Sequence, residues 1–362
     1  MYLNRLEVNF ENKPCYDIVI SDDFSDLKNE LSKLDIDNRK ICIVTDTNVA
    51  EIYLDIVKEE LSGLNVFTHV FVAGEQNKNL DTVSKIYDTL ILNKFDRKDI
   101  LLALGGGVVG DICGFAAATY LRGIDFVQIP TTLVSQVDSS IGGKTGVDFK
   151  HFKNMVGAFY MPKLVYVNIN TLNTLPEMEF SSGMGEVIKH GLIFDREYYH
   201  RLFDNHKKIL SGDIKALAEM VLTSQKIKKE VVENDPYEKG QRAILNFGHT
   251  LGHAIEKEKN FTLSHGACVG LGMLAAFDIC RKKHKLSEDD RRFLIDLMKT
   301  YSLDTETEMD VDKVFEATFN DKKMESGQIK FVLLNRIGKA YIDRGVTKED
   351  MVEALKSICK EM

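Results

Sequence analysis

The sequence predicts an α/β N-terminal domain with a Rossmann-like parallel sheet, residues 1-175, plus a mostly α-helical C-terminal domain, residues 176-362. Three observations lead there. Short β-branched runs alternate with amphipathic helical windows through the first half, the pattern of a parallel sheet covered on both faces. From Glu177 to about Thr318 nearly every window carries helical periodicity instead. A chain of 362 residues is also too long for one small core.

Taken in order, KICIVTD (Lys40 to Asp46) reads as a buried strand, and VAEIYLDIVKEELSG as a helix closed by Gly63. NVFTHVFV is the next strand and NLDTVSKIYDTLILN the next helix. DILLAL, DFVQIP and KLVYVNI continue the strand series. The run Ile100 to Leu121 is apolar enough to suggest a membrane span, but Asp111 and three successive glycines favour a buried strand, a glycine turn and a buried helix. Near the C-terminus, IKFVLLNRIGKAYID reads as a hairpin of two short strands around RIGK. No internal repeat or low-complexity segment interrupts the pattern.

Hydrophobic residues make up 44% of the chain and charged ones 28%, as in soluble globular proteins. A net charge of -8 argues against nucleic acid or an anionic membrane as partner, so an anionic small molecule must meet a local cationic pocket. The six cysteines never approach C-x-x-C spacing, and MYLNRLEVNF has no apolar signal core; a reduced, cytoplasmic chain is expected.

After DILLAL comes GGGVVGD, where Gly105, Gly107 and Gly110 satisfy G-x-G-x-x-G. Such glycines let backbone amides approach a pyrophosphate at a helix N-terminus, or simply make a tight strand-to-helix turn. Asp46 and Asn48, at the end of an earlier strand, suit ribose hydroxyls, although the usual fingerprint puts the acid after the glycines. GGKTG fails the phosphate-loop spacing because Asp138 stands where a glycine is needed; Lys144 is then either an anion contact or a solvated loop lysine.

HTLGH puts His249 and His253 four residues apart, on one face of a helix. It lacks the glutamate of H-E-x-x-H, which removes the peptidase reading. If that helix extends backward, Asn246 and Arg242 lie one and two turns earlier. SSGMGEVIKHG holds Glu186, and LSHGACVGLGM opens a helix at His265. A catalytic zinc takes three protein ligands and keeps one position open, and Glu186, His249 and His265 could supply that set from three helices. Each also has a plain reading, as a helix-start carboxylate, a core histidine and a cap neighbour.

The stretches GGGVVGDICGFAAATYLRG, QIPTTLVSQVDSSIGGKTGVD, the KN of HFKNMVGAF, TLPEMEFSSGMGEVIKHG, RAILNFGHTLGHAIE and LSHGACVGLGM resemble the 3-dehydroquinate synthases, in the same order along the chain. The resemblance implies an NAD-binding domain, a helical domain, and a zinc or cobalt ion between them held by Glu186, His249 and His265, with His253 beside the ion as a proton relay. It implies NAD contacts from Asp46, Asn48, Glu75, Lys78, Gly106, Gly107, Val108, Asp111, Thr131 and Thr132, joined by Lys144 and Lys153. Among the positions facing the substrate, Asp138, Lys144, Asn154, Lys189 and Glu238 join His253 as catalytic residues, with Lys153, Lys228, Arg242, Asn246 and Lys323, or its neighbour Lys322, as binding residues. Arg122 matches an arginine offered across a homodimer interface. NDPYEKG carries Pro236 where the family usually has an acid.

The implied reaction converts 3-deoxy-D-arabino-heptulosonate 7-phosphate to 3-dehydroquinate by transient oxidation with NAD, loss of phosphate, re-reduction and aldol closure. The alternatives are a metal-dependent polyol or glycerol dehydrogenase and another sugar-phosphate cyclase.

Overall fold

Strands β1 (Tyr2–Phe10), β2 (Lys13–Ser21), β3 (Lys40–Asp46), β4 (Asn65–Phe71), β5 (Ile100–Gly105), β6 (Asp125–Pro130) and β9 (Leu164–Asn168) form one sheet, in the order β1-β2-β9-β6-β5-β3-β4. The computed structural model describes residues 2–150, 152–260, 262–284, 286–318, 324–325 and 328–360. All neighbours in the sheet are parallel except the β1–β2 hairpin. Strands β7 (Lys144–Phe149) and β8 (Phe152–Phe159) make a separate antiparallel hairpin.

The central strands are apolar on both faces because both faces are covered. All six residues of β5 are buried. Alternate side chains serve opposite clusters: Cys42, Val44, Leu101 and Ala103 point to one, Ile41, Ile43, Leu102 and Leu104 to the other. The first is closed by α4 (Leu80–Leu92), which turns Val83, Ile86 and Leu90 inward, and by α5 (Gly107–Thr119). The second is closed by α1 (Leu27–Ser32) and by a composite helix of α2 (Thr47–Val49), a π turn and α3 (Asp55–Glu60). That helix starts two residues before the expected Val49, because the Asp46 carboxylate accepts from the Asn48 and Val49 amides, both at 2.9 Å.

Strands β1, β2 and β7 were not read from the sequence. β1 and β2 mix apolar with charged residues and β2 carries a proline, and β7, outside the main sheet, opens on the glycine-lysine stretch that reads as a loop. Their strand form depends on partners across the chain. Strand order also reverses at β3, since β4 lies on one side of it and β5 on the other. In open α/β sheets, ligands bind in the crevice at the carboxyl ends beside such a reversal.

The chain divides into two compact units. One is Met1–Leu175 with Leu217–Tyr237; the other is Pro176–Ala216 with Glu238–Met362. Leu217–Tyr237, most of α9 (Ile214–Asn234), therefore packs with the sheet unit, a return that helical periodicity does not reveal. Within that unit, the side chain of Gln225 donates to the Gln136 carbonyl (2.9 Å), and Lys228 pairs with Asp138.

The second unit holds α6 (Glu177–Phe194), α7 (Arg196–Asp204), α8 (His206–Leu210), α10 (His249–Glu258), α11 (His265–His284), α12 (Glu288–Thr300), α13 (Val311–Thr318) and α14 (Lys348–Lys356). A two-residue ladder joins β10 (Met324–Glu325) to β11 (Gln328–Ile329). The hairpin around RIGK is present as β12 (Phe331–Arg336) and β13 (Lys339–Asp343). Helix α11 is the hub, buried almost without interruption from Gly266 to Cys280. Among the described residues, no helix is long and apolar enough to cross a membrane; Ile100 to Leu121 is β5 and α5.

Candidate active site

The helix bearing HTLGH does not extend back to Arg242. Residues Gln241–Asn246 form a 3-10 turn, Gly248 takes the left-handed conformation (φ 80°), and α10 starts afresh at His249. Arg242 and Asn246 thus belong to a separate turn, which corrects the expectation of one continuous helix. The break leaves His249 as the first residue of its helix, as His265 is of α11.

Glycine sets the distance between these helices. A Cβ on Gly266 would stand 2.5 Å from the Cα of Ser182 on α6 and closer still to its carbonyl oxygen. A Cβ on Gly272 would stand 2.6 Å from the amide nitrogen of Gly252 on α10. Only hydrogen at these positions lets α6, α10 and α11 approach backbone to backbone. As a result Glu186, in the middle of α6 rather than at its start, faces both helix-opening histidines.

Its Oε1 lies 3.6 Å from Nε2 of His249 and 3.8 Å from Nε2 of His265, while its Oε2 takes the Lys189 ammonium. Glu186 and Lys189 are each 1% exposed, so the ion pair lets a carboxylate exist in the interior at all. The ring of His253 joins the group, with centroids 5.3 Å from His249 and 5.7 Å from His265. His249, His253 and His265 can offer ligand nitrogens within 4.8 Å of one another. Bonds of about 2.1 Å in a tetrahedral site put ligand atoms about 3.4 Å apart, so each of the two Glu186–imidazole distances, 3.6 and 3.8 Å, is within a few tenths of an ångström of what a zinc-sized ion requires. Nearby in the same unit, Arg242 is 2% exposed and Asn246 donates to Glu238 Oε1 (3.2 Å).

In the sheet unit, Gly106 caps α5 and Gly107 and Val108 open it, leaving the first helical amides at the carboxyl end of β5. β3 pairs alongside β5, so Asp46 ends next to the glycine loop even though it precedes it in sequence. This removes the difficulty of an acid on the wrong side of the motif. A Cβ on Gly106 would meet Thr132 at 2.9 Å, and the Thr131 amide donates to the Gly105 carbonyl (3.0 Å), which ties the two loops together. Lys78, 5% exposed, pairs with Asp111 and donates to Asn154, both at 2.7 Å. Burial disfavours its charge, but Asp111 and Glu75 outweigh that and hold its pKa above the ordinary lysine value.

Asn154 adopts the left-handed conformation (φ 54°), and its amide donates to Asp148. Lys144 and Lys153 are exposed, on β7 and β8. Arg122 is exposed after α5 (φ 71°), and Pro236 sits in the turn before Tyr237, whose ring packs on Phe10 and Phe159. Lys323, like Lys322, lies outside the described residues. Sequence reasoning missed Glu256, whose carboxylate lies 3.4 Å from His265; the signal was present, since His249, His253 and Glu256 follow i, i+4, i+7 spacing.

A Gly-rich helix start at a sheet reversal, and a buried carboxylate facing two imidazoles with a third ring beside them, define a metal- and nucleotide-dependent enzyme class. Residues 68–182 match the 3-dehydroquinate synthase N-terminal family and residues 183–324 the 3-dehydroquinate synthase C-terminal family. The chain is 46% identical to a 3-dehydroquinate synthase of Acetivibrio thermocellus, over 96% of its own length and 97% of the relative's. Two solved structures share the fold. One is 2-epi-5-epi-valiolone synthase from Streptomyces hygroscopicus with NAD+ and Zn2+ bound (TM-score 0.86, 26% identity, 98% of this chain and 99% of that one). The other is 2-deoxy-scyllo-inosose synthase complexed with carbaglucose-6-phosphate, NAD+ and Co2+ (TM-score 0.86, 24% identity, 98% and 100%). The chain belongs to the 3-dehydroquinate synthase family, and its activity is that family's phosphate-eliminating cyclisation in the shikimate pathway.

Proposed function

We propose that this chain turns 3-deoxy-D-arabino-heptulosonate 7-phosphate into 3-dehydroquinate and phosphate, using NAD and a zinc or cobalt ion. NAD would lie on the Gly106, Gly107 and Val108 amides, with Asp46, Asn48, Glu75, Lys78, Asp111, Thr131 and Thr132 around it, and Lys144 and Lys153 reaching it. Glu186, His249 and His265 would hold the metal. When bound, NAD supplies reversible hydride acceptance and the metal Lewis-acid polarisation of the reacting oxygen.

The chain's own residues do the rest. Lys144, Lys153, Lys228, Arg242 and Lys323 offset the charges of substrate carboxylate and phosphate, which a chain of net charge -8 needs local cations to attract. The Lys228 ammonium, paired with Asp138 at rest, would exchange that carboxylate for a substrate anion. Asn154 and Asn246 donate and accept at substrate hydroxyls, and Glu238 orients Asn246. His253 passes the hydroxyl proton, a task suited to imidazole near neutral pH. Lys189 donates to Glu186 Oε2 and holds that carboxylate in place.

The observation that supports this most directly is the Glu186 oxygen facing two imidazole nitrogens at 3.6 and 3.8 Å. A phosphate-release assay with the heptulosonate phosphate, run with and without chelator and followed by detection of dehydroquinate, tests it. Steady NADH accumulation with a polyol and no phosphate release would refute it in favour of a dehydrogenase. We further propose a homodimer in which Arg122 serves the neighbouring copy, and a cytoplasmic setting, which accords with cysteines that remain thiols. An Arg122→Ala chain that fails to complement a different active-site variant in mixed dimers would count against the shared site.

A further inference from the structure

The residue in question is Glu256, and the inference rests on Glu186, His249 and His265 being metal ligands. Glu256 is 5% exposed, and its Oε2 stands 3.4 Å from Nδ1 of His265. The other nitrogen of that ring, Nε2, is the one 3.8 Å from Glu186. His249 repeats the arrangement: Nδ1 lies 3.2 Å from the Phe247 carbonyl and Nε2 faces Glu186. A neutral imidazole carries one proton, and an acceptor beside Nδ1 keeps it there and leaves a lone pair on Nε2.

The two rings differ in what else holds them. The His249 side chain is 11% exposed and is fixed by packing as well as by a carbonyl from its own segment. The His265 side chain is 40% exposed at the first position of α11, and the buried Glu256 carboxylate stands on its Nδ1 side. We propose that Glu256 is a positioning residue that holds His265 as the Nδ1–H tautomer with Nε2 aimed at Glu186, and so sets the affinity for the metal. Its charge also makes the ring a stronger donor.

Cobalt(II) titration against a competing chelator tests this on the purified full chain, as wild type, Glu256→Gln and Glu256→Asp. Wild type should bind one ion per chain. E256Q should bind about 10- to 100-fold more weakly, with an altered visible cobalt spectrum, and E256D should recover part of the loss. Affinity for E256Q within about twofold of wild type would overturn the proposal, including when its metal-free melting temperature has dropped, since that is what a merely structural residue would give. No cobalt binding by wild type would sink the metal-site assignment and this inference with it. Should E256Q not fold, long-range proton–nitrogen spectra of the metal-free wild type decide: a proton on Nδ1 of His265 supports the role, and one on Nε2 overturns it.

Discussion

Replacing Gly266 by alanine tests the claim that glycine sets the metal site. The added Cβ would sit 2.5 Å from both the Cα and the carbonyl carbon of Ser182, where ordinary carbon contacts are about 3.5–4.0 Å. Backbone cannot swing aside, so α6 and α11 must part by about 1 Å. Overpacking of this kind costs about 1–3 kcal/mol. For a unit of this size that is a fall in Tm of about 2–12 °C. His265 adjoins Gly266, and Glu186 lies one turn beyond Ser182, so the same shift separates two of the proposed ligands. Misplacement by about 1 Å costs roughly 100-fold in rate. Gly270→Ala, on the same helix, is the control: its Cβ would crowd the terminal methyl of Met298, at 2.9 Å, which a flexible thioether can withdraw, and would make an ordinary contact with Leu303 at 3.9 Å. Alanine there gains up to about 1 kcal/mol of helix propensity, so G270A should be near neutral. Calorimetry and the phosphate-release kcat read both variants. G266A with unchanged Tm and a kcat within about threefold of wild type, or G270A equally damaged, would refute the reasoning.

Glu186→Gln should lose bound metal and phosphate release together and lower Tm, because it leaves Lys189 buried without its carboxylate at a cost of about 3 kcal/mol; full metal content in the variant would contradict this. His253→Ala should keep its metal and lose most of kcat, and loss of the ion instead would make His253 a ligand. Glu30, where burial is outweighed by Lys33 and Arg5, has its pKa held below the ordinary 4.5, so its contribution is complete above that pH and disappears as pH falls through the lowered value. The stability gap between wild type and Glu30→Gln in urea should therefore close on acidification below 4.5, and a gap that widened would contradict the assignment. A maleimide should label Cys15 and Cys359 in the native chain and leave Cys42, whose thiol burial pushes up to about 12, and Cys113 intact until denaturant is added.

Much of the sheet unit was legible because its signals are local. KICIVTD and DILLAL are continuous apolar runs since both their faces are covered, and the glycines after Leu104 must follow a strand to make the turn into α5. The hairpin around RIGK announced itself through short strands on either side of a glycine in the left-handed region (φ 83°). By contrast, β7 and β8 are strands because they pair with each other, and nothing in GGKTG reports that pairing. The continuation of the HTLGH helix failed on one residue, Gly248, whose positive φ is a property of the packed chain: Met273 and the Val269 carbonyl crowd the space a Cβ would need.

By itself the sequence determined the strand-and-helix alternation, the presence of Glu186, His249 and His265 as candidate donors, and the need for local cations in an acidic chain that takes an anionic substrate. These follow from side-chain chemistry and from periodicity, which record how each stretch is buried. Only the tertiary structure decided that α9 returns to the sheet unit, that Asp46 ends beside the glycine loop, and that one oxygen of Glu186 faces two nitrogens from residues 63 and 79 positions further along. It also turned Glu256 toward His265. Distances between segments far apart in the chain depend on how closely helices pack, and here bare glycine backbones at Gly266 and Gly272 set that spacing.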